Sequence, residues 1–161
     1  MKANNEKLIA VLNDLIRINY DRIEGYEKAV EEIRDFSEAE IKSIFIKMAD
    51  DSRKHRTELT QAVVQLGGEP ATDTTTAGDI YRVWMDVKTT FAGNDVLASL
   101  QLCEYGEDKA LEAYKTALAT DVTWPTDIRA MIEKERASLK SSHDRIKRYR
   151  DEYASAEKSS H

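Results

Sequence analysis

Two prolines and six glycines in 161 residues are too few for the closely spaced turns of a β-sandwich or barrel, which excludes most all-β architectures. A single cysteine, Cys103, rules out an intrachain disulfide; with no basic neighbour to lower its pKa it reads as a packing group and not as a redox thiol. Basic charge is also scarce. Lys and Arg total 24 against 30 Asp and Glu, for a net charge of −6 and a pI near 5.2, which excludes the broad cationic footprint that nucleic acid requires. No apolar run reaches the ~20 residues of a membrane span, and the polar start Met1-Lys2-Ala3-Asn4-Asn5 has no signal-peptide core. The expectation is a cytoplasmic protein with neither membrane nor nucleic acid as partner. A Gly-rich phosphate loop, Cys-x-x-Cys and Gly-x-Ser-x-Gly are all missing, so nucleotide-dependent and nucleophilic enzymology have no footing.

What is present is helix. Charged residues make up 34% and hydrophobic ones 41%, a balance suited to long amphipathic helices. From Glu6 to about Phe36, the residues Leu8, Leu12, Leu15, Ile23, Tyr26, Val30 and Ile33 recur at three- and four-residue steps. Ser37-Glu38-Ala39-Glu40 has the form of a capping box that starts a second helix. That helix runs through Ile41, Ile44, Met48, Leu59, Ala62 and Leu66 and stops at Gly67-Gly68 and Pro70. So short a first connection predicts an antiparallel hairpin.

Glu69 to Thr76 reads as a loop, followed by a short helical pattern through Ile80, Val83, Trp84 and Val87 and a break at Gly93-Asn94. This connection of about 25 residues exceeds the usual 2–8 between helices and implies a crossover with its own helix. A third long helix carries Val96, Leu97, Leu100, Glu104, Glu107, Leu111, Tyr114 and Leu118. After Trp124-Pro125-Thr126-Asp127, a fourth carries Ile128, Ile132, Leu139, Ile146, Tyr149 and Tyr153. The expected fold is all-α: one antiparallel four-helix-bundle domain over residues 1–153, with a long crossover bearing an extra short helix, and a polar tail over 154–161 that loses the pattern and frays.

Hairpin, crossover and hairpin is an arrangement in which inward acids and imidazoles hold metal ions. At about 100° per residue, Glu104 and Glu107 fall within about 35° of the apolar axis of their helix, His55 within about 20° of its own, and His143 about 70° off. Counting back from the turns sets His55 near Asn19 and His143 near Glu104. Buried carboxylates need a cation, a proton or donors, so three readings stand open. The four residues hold a single Fe or Zn ion; Glu104 and Glu107 pair with Arg22 or His55 in a network that fixes helix register; or His55 simply bonds Glu104 or Tyr26. Tyr26, Tyr114, Tyr149 and Trp84 read as packing groups with tethered polar tips. Arg145, Lys147, Arg148 and Arg150, interspersed with Asp144, Asp151 and Glu152, read as a solvated face.

Several stretches carry a family resemblance over roughly residues 5–150: Asn13-Asp14-Leu15-Ile16, Asp21 with Gly25-Tyr26, Glu58-Leu59 leading to Gly67-Gly68-Glu69-Pro70, Arg82-Val83-Trp84, and Gly106-Glu107-Asp108 before Tyr114. In these the chain resembles the ferritin-like superfamily, and more closely a bacterial branch known as a domain of unknown function (type 2383). More distantly it is similar to rubrerythrin-like di-iron bundles, whose Glu-x-x-Glu corresponds to Glu104 and Glu107. The Glu-x-x-His motifs of that group become Ser52-Arg53-Lys54-His55 and Lys140-Ser141-Ser142-His143 here, and the helix-one position is Asn19. Three of the six ligands the resemblance implies are therefore replaced, and a Lys at a ligand position adds repulsion. The expectation is a non-enzymatic scaffold, stress-associated or interaction-bearing, with a degenerate central site and no obligatory cofactor. It is expected to work as a small homo-oligomer, a dimer; a third reading is partner binding through the crossover helix, where Trp84, Met85 and Phe91 form an apolar patch suited to dimerisation. The alternative is an iron-handling or oxidase protein using Glu104, Glu107, His55 and His143.

Overall fold

The computed structural model describes residues 2–33, 39–75, 79–92 and 96–159. Among these the chain is all-α, with five helices and no strand: α1 (Lys2–Glu32), α2 (Ala39–Gln65), α3 (Asp79–Ala92), α4 (Val96–Leu118) and α5 (Thr126–Ser159). The capping box at Ser37 and the break at Gly93-Asn94 lie outside the described residues.

Inward residues follow a seven-residue repeat on every long helix. In α1 and just beyond it these are Leu8, Leu12, Leu15, Asn19, Arg22, Tyr26, Ala29 and Ile33, at alternating steps of four and three; α4 repeats the steps with Leu100, Cys103, Glu107, Ala110, Tyr114 and Ala117. So does α5, with Ile128, Ile132, Glu135, Leu139, Ser142 and Ile146, all buried. A strict seven-residue repeat keeps one seam facing its neighbours along a long helix. The four long helices meet in the cyclic order α1, α2, α5, α4, while α3 lies across α1 and α4. Arg22 meets Ser52, Asn19 meets Tyr114 and Tyr114 meets Glu135, contacts that join α1 to α2, α1 to α4 and α4 to α5.

The ends of α2 and α5 follow from local chemistry. Gly67 adopts φ +84°, Gly68 N–H bonds Val63 C=O at 3.0 Å and Gly67 N–H bonds Val64 C=O at 3.0 Å. These two bonds close a Schellman stop that favours glycine at the left-handed position. Pro125 offers its carbonyl to Arg129 N–H at 3.0 Å, opening α5. At its far end α5 does not end at Tyr153 but continues to Ser159, a stretch in which Ala and Glu have high helix propensity.

Side chains of α1 tie down the segments that follow α2 and α4. Asn13 donates to Glu69 C=O at 3.1 Å and accepts from Ala71 N–H at 2.7 Å; Asn4 donates to Thr123 C=O at 3.1 Å and accepts from Thr123 N–H at 2.7 Å. Thr75 donates to the buried Asp21 at 2.5 Å.

The crossover helix is held by Trp84, which is 2% exposed and so does not belong to the surface patch expected of it; the Phe91 side chain lies outside the described residues. A Cβ at Gly25 would stand 2.7 Å from the Trp84 ring and one at Gly106 2.8 Å, so the indole sits in a notch that two glycines create. It packs on Tyr26 with centroids 4.9 Å apart, and Tyr26 packs on Phe45 at 5.1 Å.

Candidate functional site

Two apolar clusters fill the interior. One gathers around Tyr26, Phe45, Trp84 and Leu100, the other around Leu12, Leu59, Tyr114 and Ile132. Between them the seven-residue positions turn polar, with Asn19 and Arg22 on α1, Ser52 and His55 on α2, Glu107 on α4 and Ser142 on α5, and Glu135 of α5 extends the polar set into the second cluster.

One half of this layer is closed. Arg22 and Glu107 are both fully buried and paired through two bonds, Nε to Oε1 at 2.8 Å and Nη2 to Oε2 at 3.0 Å. Tyr26 donates its hydroxyl to Glu107 Oε1 at 2.7 Å, and Arg22 Nη1 donates to Ser52 Oγ. Burial works against the Arg22 charge, yet the Glu107 carboxylate outweighs it and holds the guanidinium above its ordinary pKa. Burial and then Glu107 push the Tyr26 hydroxyl and the Cys103 thiol well up, so neither ionises near neutrality and Cys103 is an inert packing group.

The other half is open. Asn19 donates to Leu15 C=O and to Tyr114 Oη, both at 2.9 Å, and Tyr114 donates to Glu135 Oε1 at 2.8 Å. Asn19 Oδ1, His55 Nδ1 and Glu135 Oε2 are buried without a partner. Burial pushes the Glu135 carboxyl up to about 9. It lowers His55 to about 4, with the Arg22 charge adding to the effect, so the imidazole is neutral at physiological pH.

The four residues singled out from sequence are dispersed. Glu107 turns inward to Arg22, as one of the sequence readings allowed. Glu104 lies on the α4–α5 flank, bonded to Arg150 at 2.7 Å and 4.0 Å from His143 Nε2. His143 bonds Asp108 at 2.7 Å and Asp144 at 3.1 Å. His55 does not take Tyr26, whose hydroxyl goes to Glu107. The sequence count brought Glu104 and His143 together correctly. Among the described residues, no group of three or more His, Cys, Asp or Glu side chains is placed to hold one metal ion.

A di-iron centre does not fit this donor set. Both Glu107 oxygens are bonded to the Arg22 guanidinium, and Ser52, which the resemblance sets at a carboxylate position, is itself bonded to Arg22. Glu135 escaped the sequence reading, although its steps of three from Ile132 and four to Leu139 place it on the seam. The run Glu133-Lys134-Glu135-Arg136 disguises it as surface. Asp21, buried against the crossover, stands out in the sequence only as part of the family pattern.

Comparison with known proteins adds one match and one blank. The family model described as a domain of unknown function, DUF2383, matches residues 7–120. No curated protein matches the chain.

Proposed function

The chain belongs to the DUF2383 family, a domain of unknown function, and from that premise we propose that it is a non-enzymatic scaffold built as a ferritin-like antiparallel four-helix bundle. In this reading a guanidinium takes the place of a metal centre. The observation that carries it is the two-bond Arg22–Glu107 pair, which neutralises the inward carboxylate within the protein itself. A further support is that Tyr26 adds a second donor to Glu107 Oε1 and Ser52 accepts from Arg22, so each oxygen of the carboxylate already has a donor within the protein. The layer's task is then register: a buried pair with one geometric solution penalises every slipped packing of the helices. The cyclic order of the long helices and the crossover bearing α3 support the ferritin-like arrangement.

The test is metal content per chain in protein purified without a histidine tag, beside a Glu104→Ala, Glu107→Ala double variant. The reading expects Fe and Zn far below one per chain in both proteins. About one Fe or Zn per chain, lost in the double variant, would overturn it. That result would favour the rival reading of an iron-handling or oxidase protein, for which the Glu104–His143 approach is the supporting contact.

A further inference from the structure

The segment that follows α2 is fastened to α1 at two points, and the two fastenings differ chemically. Near its start, the uncharged Asn13 accepts from Ala71 N–H at 2.7 Å and donates to Glu69 C=O at 3.1 Å. Near its end, Asp21 accepts from the Thr75 hydroxyl at 2.5 Å and from the Thr75 backbone N–H. Asp21 is 2% exposed, and its other oxygen, Oδ1, is buried with no donor. One fastening is indifferent to protons; the other contains a dry, titratable group.

The groups around Asp21 disfavour its charge. Glu24 of α1 and Asp73 of the fastened segment both act on it with the same sign. Beside it, Glu24 and Lys28 of α1 and Tyr81 of α3 line a narrow crevice, but the Lys28 ammonium goes to Glu31, at 3.8 Å. On the other side of Thr75 stand Asp14 of α1 with Lys109 and Glu112 of α4; Asp14 is paired with Arg17, and Lys109 with Glu112. Arg22, next in sequence, is turned to Glu107, and no α2 residue lines either space. A carboxylate that is dry, supplied with donors on one oxygen only and flanked by acids gains free energy by reaching water; a protonated carboxyl gains far less. We propose that Asp21 and Thr75 form a proton-operated catch, shut while Asp21 is protonated, whose deprotonation releases the Thr75 end while Asn13 keeps the Ala71 end in place. Thr75 also stands at a groove of about 490 Å³ between α1 and α4, floored by Leu15, Ile18 and Ala117, so release widens the mouth of that groove.

The direction follows from the burial. Desolvation outweighs the two Thr75 bonds and raises Asp21 from 3.8 to about 7 while the catch is shut. Once the Thr75 end lifts, the carboxyl is wetted and returns toward its ordinary value. Between those two values the shut form holds a proton that the open form has lost. Opening therefore becomes easier as pH rises through that window and changes no further above it.

The experiment follows amide hydrogen exchange of the full chain by NMR from pH 5 to pH 8.5, corrected for the intrinsic pH dependence of exchange. Protection of the Thr75 N–H should fall by up to about tenfold per pH unit between pH 5 and 7 and level off above that. The Ala71 N–H, held by Asn13, should change much less and serves as the internal reference. Asp21→Asn, which cannot ionise, should abolish the fall at Thr75 and leave Ala71 as it was. Thr75 protection independent of pH, an equal fall at Ala71, or a fall that persists in Asp21→Asn would each overturn the proposal. Circular dichroism checks the fold of the variant. If it does not fold, the carboxyl carbon of Asp21 in the native chain decides: a midpoint near neutrality that coincides with the Thr75 fall supports the catch, and a midpoint in the ordinary carboxylate range overturns it.

Discussion

The two halves of the polar layer solve the same problem in opposite ways. Around Glu107, a buried carboxylate has an internal cation and a hydroxyl, and both its oxygens are satisfied. Around Glu135, an equally buried carboxylate has one hydroxyl, an acidic neighbour and an oxygen with no donor. The first arrangement is complete within the chain; the second needs a proton from solvent. A sequence can thus bury two glutamates one seam apart, with one serving stability and the other left responsive to the medium.

Removing the compensating charge should break this contrast most severely. Glu107→Ala leaves Arg22 charged and buried, and urea unfolding should show a loss of ~3–5 kcal/mol. Replacing both partners, with Arg22→Met and Glu107→Leu, should recover most of it, because the penalty belongs to the orphaned charge and not to the lost pair. A double variant as unstable as the single one would show that the pair contributes more than its own neutralisation.

A pH series sharpens the open half. The Glu135 pKa is raised from 4.5 to about 9, so between those values the folded state holds a proton that the unfolded state has lost. Stability therefore falls as pH rises through that window. Asp21, raised from 3.8 to about 7, acts in the same direction but is spent above pH 7. His55 has the opposite sign: lowered from 6.5 to about 4, it costs stability only on acidification through that range. Between pH 7 and 9 Glu135 dominates, the raised Cys103 thiol adding to the fall only near the upper end. Stability should drop there by roughly 2 kcal/mol, at up to ~1.4 kcal/mol per unit, and Glu135→Gln should flatten the curve. A drop that persists in the variant would assign it to another group.

A smaller effect tests the prop beneath the closed half. Gly106→Ala places a methyl 2.8 Å from the Trp84 ring, and that ring supports Tyr26. Against the ~1 kcal/mol that Ala normally contributes in a helix, overpacking should leave a net loss of about 1–2 kcal/mol in thermal or urea unfolding. A stabilised variant would mean that the indole shifts freely. Least of all, Ser52→Ala removes one acceptor from Arg22 and should cost ~1 kcal/mol by the same measurement; a loss as large as that of Glu107→Ala would make Ser52 an essential part of the pair.

The comparison also shows what could be read from the chain alone. The helices, the glycine stop at Gly67 and the Arg22–Glu107 option were legible, because each rests on spacing or local chemistry. Glu135 was not, and Glu104 was placed too far inward, for one physical reason. A fixed turn of about 100° per residue drifts ~20° per heptad from a supercoiled seam, so an averaged apolar axis blurs over helices as long as α4 and α5. Counting alternate steps of four and three separates Glu107 and Glu135, on the seam, from Glu104, beside it. Asp21 lay beyond either method, since its burial depends on a loop residue, Thr75, 54 positions away.

The pairing of Arg22 with Glu107, 85 residues apart, bears on the order in which the molecule assembles. As the chain emerges during synthesis, α1 and α2 can form a hairpin long before α4 exists, but that hairpin holds an inward guanidinium with only Ser52 to meet it. It cannot dry its interior until the second hairpin delivers the carboxylate. Drying of the first hairpin's polar layer is therefore tied to the arrival of α4, through a contact of long sequence separation that couples the two hairpins energetically.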